Sequence, residues 1–331
     1  MGFETQEVER KVFSILKVLG NSGDAVGSRV IARQLKDLGV QLSEPAVRYH
    51  LKLTDERGLT RLAGKREGRM ITELGQAELK KALVNDKVGL AFSRIETLAY
   101  RTSFDCDRRT GSVPVNISFF SNNNFKIALK IMKPVFEAGF CVSDLVAVAA
   151  EGENIDGLTV PPGKVALATV CSVVANAILL KAGVPVDSRF GGILQIRNYR
   201  PFRFIELIHY TGTSLDPSEI FIRANMTSVT RAAKTGNGEI LANFREIPAI
   251  CRNTADEVAA KLKEVSLGGI LLMGNISEPV CEIPVDLNRA GIVLIGGLNP
   301  VAAAQEAGIP AENHAMSVLM DYQRLVRVSE I

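Results

Sequence analysis

The sequence predicts an α+β protein in which an N-terminal winged helix-turn-helix precedes an internally duplicated α/β domain with pseudo-twofold symmetry. Two observations carry this prediction. The first quarter of the chain shows short helical periods followed by a basic hairpin, and the later part repeats itself at a spacing of about 125 residues. We therefore expect one domain at residues 1–84 and a second at residues 85–331.

The repeat is clearest where residues 165–185 align without a gap on residues 290–310. Extending the alignment gives copies at about 113–196 and 239–322, joined by a connector at 197–238. Each copy has the predicted order strand, helix, strand, strand, helix, strand. Two copies of one unit imply a seam between them, and we expect a ligand at that seam.

Two further strands are predicted ahead of the repeat. Val88–Leu98 and Thr110–Phe119 are rich in apolar residues and are interpreted as strands that lead into the first copy.

The composition is that of an ordinary globular protein. Of 331 residues, 47% are hydrophobic and 23% are charged. The longest apolar run, residues 165–180, is shorter than the roughly 20 residues of a membrane span. The 5 cysteines are dispersed and odd in number, which favours a reducing cytoplasm over a disulfide framework or a zinc site.

The basic charge is concentrated in the first quarter. Residues 1–84 carry 15 Lys and Arg against 11 Asp and Glu, whereas the remainder carries 24 against 25. This imbalance directs the question of nucleic-acid binding to the N-terminal domain.

Three helices and a hairpin are predicted in that domain, followed by a fourth helix that opens at Thr72 and ends near Val84. The apolar periods are Val8, Val12, Ile15, Leu16 and Leu19 in the first helix, Val30, Ile31, Leu35 and Leu38 after a Ser28 cap in the second, and Val47, Leu51 and Thr54 in the third. His50 is interpreted as a packed histidine.

The third helix and the wing are the predicted DNA contacts. Ser43 caps this helix, and Pro45 occupies its first turn. After Gly58, two short strands are predicted around the basic loop Gly64–Gly68. The expected contact residues are Ser43, Pro45, Arg48, Tyr49, Lys52, Lys65, Arg66 and Arg69. The alternatives are a solvated charged face and, less favoured, RNA binding.

A candidate anion site lies where the strand ending at Val170 meets the following helix. The free N–H groups of a helix N-terminus, flanked by Thr169, Cys171 and Ser172, suit a carboxylate or phosphate. The aligned positions in the second copy are Gly296 and Gly297, which permit close approach of the backbone. The simpler alternative is that Ser172 only caps its own helix.

Arginines could supply the counter-charge, or they could form surface ion pairs. The candidates are Arg189, Arg203, Arg223 and Arg245, with Asp187 and Asp216 as equally plausible partners. The complete expected ligand set is Thr169, Cys171, Ser172, Arg189, Thr211, Gly212, Thr213 and Arg245.

An enzyme is the weaker hypothesis. Cys171 at a helix N-terminus could be an activated thiolate and His209 a base, but nothing in the sequence places them together. We find no phosphate-binding loop, no dinucleotide fingerprint and no metal-ligand spacing, so neither a cofactor nor a metal is expected.

Several long segments resemble the NrpR family of archaeal repressors of nitrogen-assimilation genes. The resemblance rests on the segments TVCSVVANAILLKAGVPV, FGGILQI, YTGTSLDPSEIFI, MTSV and GNGEILANFREIPA of the effector domain. The N-terminal SEPAVRYHLKLTDERGL and GKREGRMITELG are similar to the winged helix of the same family.

The resemblance implies a repressor that binds operator DNA as a dimer and is released by 2-oxoglutarate. Some family members carry two effector domains, so the resemblance leaves open a homodimer or a second NrpR-type protein as partner. In this interpretation Thr169–Ser172 holds one carboxylate, and Arg189 or Arg245 holds the other. A winged-helix regulator that senses another small anion, or a partner protein, is the alternative.

Overall fold

The computed structural model describes residues 3–22, 25–37, 40–64, 68–81 and 88–331. The chain divides into two compact units, Met1–Lys87 and Val88–Ile331. Each unit is described by itself.

The first unit is a winged helix. Its elements are α1 Phe3–Ser22, α2 Ser28–Asp37, α3 Glu44–Glu56, β1 Thr60–Gly64, β2 Gly68–Ile71 and α4 Glu73–Lys81. The strands β1 and β2 form an antiparallel hairpin. The predicted order of three helices, hairpin and fourth helix is confirmed for the described residues.

The apolar periods of the three helices meet in one small core. Its buried residues include Ile15, Leu19, Ile31, Leu35, Val47 and Leu51. The expectation for Val30 was wrong, because this side chain is 37% exposed. Leu38 and Val84 lie outside the described residues.

A polar network joins α3 to the hairpin. Thr54 and Thr60 share a hydrogen bond of 2.7 Å, and the Thr60 hydroxyl donates to Asp55 Oδ1 at 2.5 Å. Arg69 Nε donates to the other oxygen, Asp55 Oδ2, at 2.6 Å. These bonds connect α3 to both strands of the hairpin.

The second unit contains seven helices longer than one turn within residues 88–331, together with two five-stranded sheets and one two-stranded hairpin. The helices are α5 Leu90–Arg101, α6 Asn122–Glu137, α7 Val173–Lys181, α8 Pro217–Arg223, α9 Val229–Thr235, α10 Arg252–Glu264 and α11 Asn299–Glu306. The strands are β3 Ser112–Ser121, β4 Leu145–Ala149, β5 Asn154–Ile155, β6 Leu158–Thr159, β7 Lys164–Val170, β8 Asp187–Arg197, β9 Arg200–His209, β10 Gly238–Pro248, β11 Ile270–Ile276, β12 Arg289–Ile295, β13 Glu312–Asp321 and β14 Val326–Arg327.

Both large sheets are antiparallel. Four equivalent strands follow the same order in each sheet when the second sheet is read in reverse, β13-β3-β7-β4 in the first and β8-β10-β12-β11 in the second. The first sheet is β13-β3-β7-β4-β14, and the second is β11-β12-β10-β8-β9. The first copy of the repeat contains β3, α6, β4, β7, α7 and β8; the second contains β10, α10, β11, β12, α11 and β13. The predicted element order is therefore present in both segments, with the short β5–β6 hairpin added in the first.

The last strand of each copy crosses to the sheet of the other copy. Thus β8 pairs with β10, and β13 pairs with β3. This exchange brings the starts of α7 and α11 towards a common seam. Descent of the two copies from a duplication, and a twofold axis between them, stay predictions.

The predicted strand at Val88–Leu98 is wrong, because these residues begin helix α5. Ala91, Ile95, Leu98 and Ala99 are all buried, at the spacing of one helical face. The predicted strand at Thr110–Phe119 corresponds to β3.

Two large apolar clusters form the core of the second unit. One contains residues of both sheets together with α6 and α11, and the other contains residues of both sheets with α7 and α10. Among the described residues, no helix is long and apolar enough to cross a bilayer, and no cluster of three or more His, Cys, Asp or Glu could hold a metal ion.

The packing of α4 against the α3–β1 junction predicts a glycine requirement at position 75. A Cβ at Gly75 would overlap the carbonyl oxygen of Leu59 and approach Ile71 Cγ1 to 2.8 Å. We expect Gly75→Ala to destabilise the first unit by about 1–3 kcal/mol, measured by urea unfolding. Gly27→Ala is the control, because its Cβ would meet no atom within 4 Å. Equal stability of the two variants would contradict the packing described here.

Candidate functional site

The face of α3 predicted to meet DNA is open to solvent. The Ser43 hydroxyl accepts a hydrogen bond from Ala46 N at 3.4 Å, which makes Ser43 the N-cap. Pro45 is exposed in the first turn, Tyr49 is 67% exposed, and Lys52 is also exposed. Because Val47 and Leu51 are buried on the opposite side, these polar residues share one outward face.

Arg48 is exposed but already has partners. Its Nη2 lies 2.5 Å from Glu44 Oε1, and its Nε donates to Ser28 Oγ at 3.3 Å. The hydrogen bond from Arg48 lowers the pKa of Glu44. Lys52 is tied more loosely, with 3.9 Å between its Nζ and Glu56 Oε1. Both side chains can reach a phosphate by giving up a surface ion pair, which costs little.

The wing is only partly described. Lys65 and Arg66, predicted as DNA contacts, lie outside the described residues. Arg69 is held by Asp55 at 2.6 Å, with about a quarter of its side chain exposed. This ion pair attaches the wing to α3, and a DNA contact by Arg69 stays a prediction.

His50 lies on the inner face of α3. It is 6% exposed, and burial lowers its pKa, so the imidazole is neutral near pH 7. The interpretation of His50 as a packed histidine agrees with this position.

A cavity lies at the seam of the second unit, where the two copies meet. Its lining is contributed by α5, β3, the start of α7, the turn at 210–212, the residues 216–218, β10, the start of α11 and β13. The lining residues on which the argument depends are Ile95, Asn116, Cys171, Ser172, Tyr210, Asp216, Asn243, Arg245, Gly297 and Leu298. We call this the seam cavity.

Arg245 is the cation of the seam cavity. It is 1% exposed, and its Nε donates to Asn176 Oδ1 at 3.3 Å while Nη1 donates to the Phe244 carbonyl at 3.1 Å. Its guanidinium carbon lies 4.8 Å from the centre of the Tyr210 ring. Within the described residues, no carboxylate lies within ion-pair distance of Arg245, although the Asp216 carboxyl group lines the same cavity and interacts with it electrostatically.

Backbone donors add to this positive character. Within the part of the chain that the structure describes, the N–H groups of Ser172, Gly297 and Leu298 have no hydrogen-bond acceptor in the protein. Ser172 precedes α7, and Gly297 and Leu298 precede α11, so both helix dipoles direct their positive ends into one cavity. A Cβ at Gly297 would approach the Val170 carbonyl to 2.5 Å, which explains the glycine at this seam.

Two asparagines occupy equivalent places on β3 and β10. Asn116 pairs in register with Thr169 on β7, and Asn243 pairs with Leu294 on β12, the residue aligned with Thr169 in the repeat. Asn243 Nδ2 donates to Ser172 Oγ at 3.1 Å, and Asn116 Oδ1 accepts from Met316 N at 3.0 Å. These asparagines therefore fix the two sides of the cavity.

The alternative in which Ser172 caps its own helix is wrong, because its side chain makes no capping hydrogen bond. Its hydroxyl accepts from Asn243 instead. Thr169 is also buried, where its hydroxyl accepts from Asn116 Nδ2 at 3.4 Å. The residues expected around position 170 thus lie at the cavity, although Thr169 reaches it only through Asn116.

The structure does not support an activated thiolate at Cys171. The residue is buried, and desolvation raises the pKa of its thiol to about 12, so the thiol is protonated at neutral pH. His209, the proposed base, is exposed and does not line the seam cavity.

Other members of the expected ligand set lie away from the cavity. Arg189 sits among Asp187, Glu246 and Asp286, at 3.4–3.8 Å, in a partly exposed ion-pair cluster. Arg203 and Arg223 likewise form surface pairs.

Thr211 and Gly212 are exposed, and Thr213 bonds to Leu215. None of Arg189, Thr211, Gly212 and Thr213 lines the cavity, since each faces solvent or a local partner.

Sequence reasoning missed several cavity residues. Asn116, Asn176 and Asn243 lie inside apolar strands or helices, and an isolated polar residue in such a run was the available signal. Asp216 caps α8 by accepting from Ser218 N at 2.8 Å, and burial raises the pKa of its carboxyl group. Tyr210 donates to Asn243 Oδ1 at 2.5 Å.

The seam cavity is small. Its free volume is about 20 Å³, which accommodates about one water molecule.

Comparison with known proteins identifies both units. The family described as NrpR regulatory domains NRD1 and 2 matches residues 88–327, and the family described as the ribonuclease R winged-helix domain matches residues 13–79. A solved structure of a nitrogen repressor-like protein from Methanococcus jannaschii superposes with a TM-score of 0.61 at 28% identity, covering 72% of this chain and 98% of that chain.

Curated relatives agree over almost the whole length. The global nitrogen regulator NrpRI of Methanosarcina mazei is 39% identical over 97% of this chain and 99% of its own. The global nitrogen regulators NrpR of Methanococcus maripaludis and Methanocaldococcus jannaschii are 33% and 31% identical, and the match spans 53% and 56% of their lengths. The chain therefore belongs to the NrpR family of nitrogen regulators, whose members are regulatory proteins rather than enzymes.

Proposed function

We propose that the protein is a repressor of nitrogen-assimilation genes that binds operator DNA as a dimer through its winged helices and is released when 2-oxoglutarate occupies the seam cavity. The observation that carries the ligand proposal is the buried guanidinium of Arg245, which forms no ion pair with a carboxylate among the described residues. Membership of the NrpR family supports the regulatory role.

A small anion is the chemistry that the cavity favours. Burying a charge without a partner is costly, so an uncompensated arginine in a cavity favours ligands that bring the missing negative charge. The free N–H groups of Ser172, Gly297 and Leu298 offer hydrogen bonds to carboxylate oxygens. Donors on two sides of the cavity suit a molecule with an anionic group at each end, as 2-oxoglutarate has.

DNA binding is assigned to the first unit because of its fold and its charge. The exposed face of α3 carries Arg48, Tyr49 and Lys52, and residues 1–84 have the only positive balance of the two domains. Cations on a recognition helix contact phosphates and base edges in the major groove. The second unit carries a nearly neutral balance and adds little to this electrostatic attraction.

Release follows from thermodynamic linkage. The ligand-bound state of the second unit would disfavour the arrangement of two winged helices on adjacent half-sites. The ligand then lowers the affinity for DNA, and DNA lowers the affinity for the ligand by the same factor. Half-sites lie about 34–36 Å apart, so a small change of spacing is sufficient. A coupling of about 1–3 kcal/mol changes the affinity by about 5- to 150-fold.

A second NrpR-type chain is the alternative partner to a second copy. The chain spans about half the length of two of its curated relatives, so members of this family differ in how much sequence they carry. Size-exclusion chromatography with light scattering tests the homodimer directly, and a monomer at micromolar concentration would contradict it.

Arg245→Met tests the ligand site. Wild-type protein should show a rise in melting temperature with 2-oxoglutarate, and the variant should show none, because the counter-charge is gone. Without ligand, we expect the stability to change by only about 1–2 kcal/mol, since removal of the desolvated charge offsets the lost hydrogen bonds. Differential scanning calorimetry measures both quantities.

The matched control is Arg189→Met, which removes an arginine from the surface ion-pair cluster outside the cavity. It should keep the full response to 2-oxoglutarate. A normal response in Arg245→Met, or a response to citrate and phosphate but not to 2-oxoglutarate, would exclude the proposed ligand.

Asp216→Asn tests the electrostatics of the same cavity. Asparagine can still cap α8, but it removes a negative charge that repels an incoming carboxylate. We expect 2-oxoglutarate to bind at least about fivefold more tightly, about 1 kcal/mol, in isothermal titration calorimetry. The gain should be smaller at low pH, because the raised pKa of Asp216 leaves more of the wild-type carboxyl protonated there. Unchanged or weaker binding at pH 8 would contradict this.

Lys52→Ala tests the DNA face. Because Lys52 is exposed and only loosely tied to Glu56, we expect weaker binding to any duplex and a salt slope smaller by about 1. Fluorescence anisotropy over a series of salt concentrations measures the slope. Lys130→Ala on the exposed face of α6 is the control and should leave the slope unchanged. A similar loss in both variants would remove α3 from the DNA face.

A further inference from the structure

One wall of the seam cavity is built by α5, the helix that sequence reasoning mistook for a strand. Ile95 lines the cavity and is 1% exposed. The neighbouring Ala91, Leu98 and Ala99 are buried against residues around the cavity. This wall therefore belongs to neither copy of the repeat, because α5 precedes both.

The contacts of α5 are local to the cavity. Its buried residues group with Cys171, Val173, Ala177, Tyr210 and Met316 in a cluster distinct from the two large ones. Four of these five partners also line the cavity; the exception is Ala177. Moving α5 would therefore uncover the cavity while leaving the two large clusters intact.

The remaining walls cannot open so easily. Asn116 and Asn243 lie on central strands, and each is fixed by hydrogen bonds from neighbouring elements. The starts of α7 and α11 continue directly from β7 and β12, whose residues belong to the large clusters. Displacing these elements would break sheet pairing, whereas α5 lies outside both sheets.

The N-terminal end of α5 has the backbone of a hinge. Gly89 precedes the helix with φ = +80°, a conformation that other residues rarely adopt. A Cβ added at this position would make no tight contact. The helix begins at Leu90, three residues after Lys87, where the first unit ends. The chain from the DNA-binding unit thus enters α5 at this hinge.

We propose that α5 is the lid of the seam cavity and that the effector must displace it in order to bind. The proposal rests on the proposed function, because it assigns the regulation of the same site. A cavity with room for about one water has no place for a five-carbon dicarboxylate, so this ligand binds only the open state. A ligand that binds only one state shifts the equilibrium towards that state.

A tryptophan introduced on α5, at a position that packs against the rest of the second unit, reports the opening directly. The chain has no tryptophan, so Phe92→Trp, at a partly buried position against the α5 cluster, would be the only one. With saturating 2-oxoglutarate we expect its emission to shift to the red as the ring becomes exposed. Phe202→Trp, on β9, is the matched control and should not respond. An emission in Phe92→Trp that does not move, or moves to the blue, would overturn the proposal.

Loosening the lid tests the energetics. Leu98 packs in the α5 cluster but does not line the cavity, so Leu98→Ala weakens the closed state without enlarging the site. We expect 2-oxoglutarate to bind at least about threefold more tightly, since less of the binding energy is spent on opening. Tyr100→Ala, on the exposed side of the same helix, should bind like wild type. Equal or weaker binding by a folded Leu98→Ala would contradict the lid.

These outcomes separate the lid from the ligand site. If wild-type protein binds 2-oxoglutarate and Arg245→Met does not, the proposed site stands, and the α5 variants alone decide the lid. If wild-type protein binds no 2-oxoglutarate, the proposed function fails, and the lid, which depends on it, fails with it.

Discussion

The second unit is organised around the buried positive charge of Arg245, which forms no ion pair with a carboxylate among the described residues. Arg245 keeps two hydrogen bonds to Asn176 and Phe244 and a ring contact with Tyr210, and these partly replace its hydration. They do not replace a counter-ion, so the closed state retains an electrostatic cost. A protein can tolerate such an electrostatic cost because the packing of the surrounding core stabilises the conformation that carries it.

The exchange of strands between the two sheets explains why the charge meets backbone donors. Since β8 completes the second sheet and β13 the first, the starts of α7 and α11 are carried to one seam rather than to opposite ends of the unit. Neither copy alone could build this arrangement. The site is therefore a property of the fused pair, in the same way that many α/β proteins bind ligands where their topology changes direction.

The sequence predicted most of the fold and part of the site, and the differences have physical causes. Helix caps, apolar periods and the gapless repeat identified the winged helix and the element order of both copies. Of the expected ligand set, Ser172 and Arg245 line the cavity, and for Ser172 a helix N-terminus following a strand carried a local signal. Arg189 lies instead in a surface ion-pair cluster, which the sequence could not distinguish from a cavity position. Asn116 and Asn243 were missed because their importance arises from register between distant strands. The α5 helix was missed because a short apolar run fits a strand and a helix equally well.

The repeat is not symmetric in chemistry. Two residues after Asn243, strand β10 carries the arginine of the cavity, whereas two residues after Asn116, strand β3 carries Ser118, which is buried and bonded to Asn313. The two copies thus have similar backbones around the cavity, but only one of them contributes an arginine to it. A ligand whose two ends differ chemically would therefore bind in a single orientation. A ligand with the same group at both ends would have no preferred orientation.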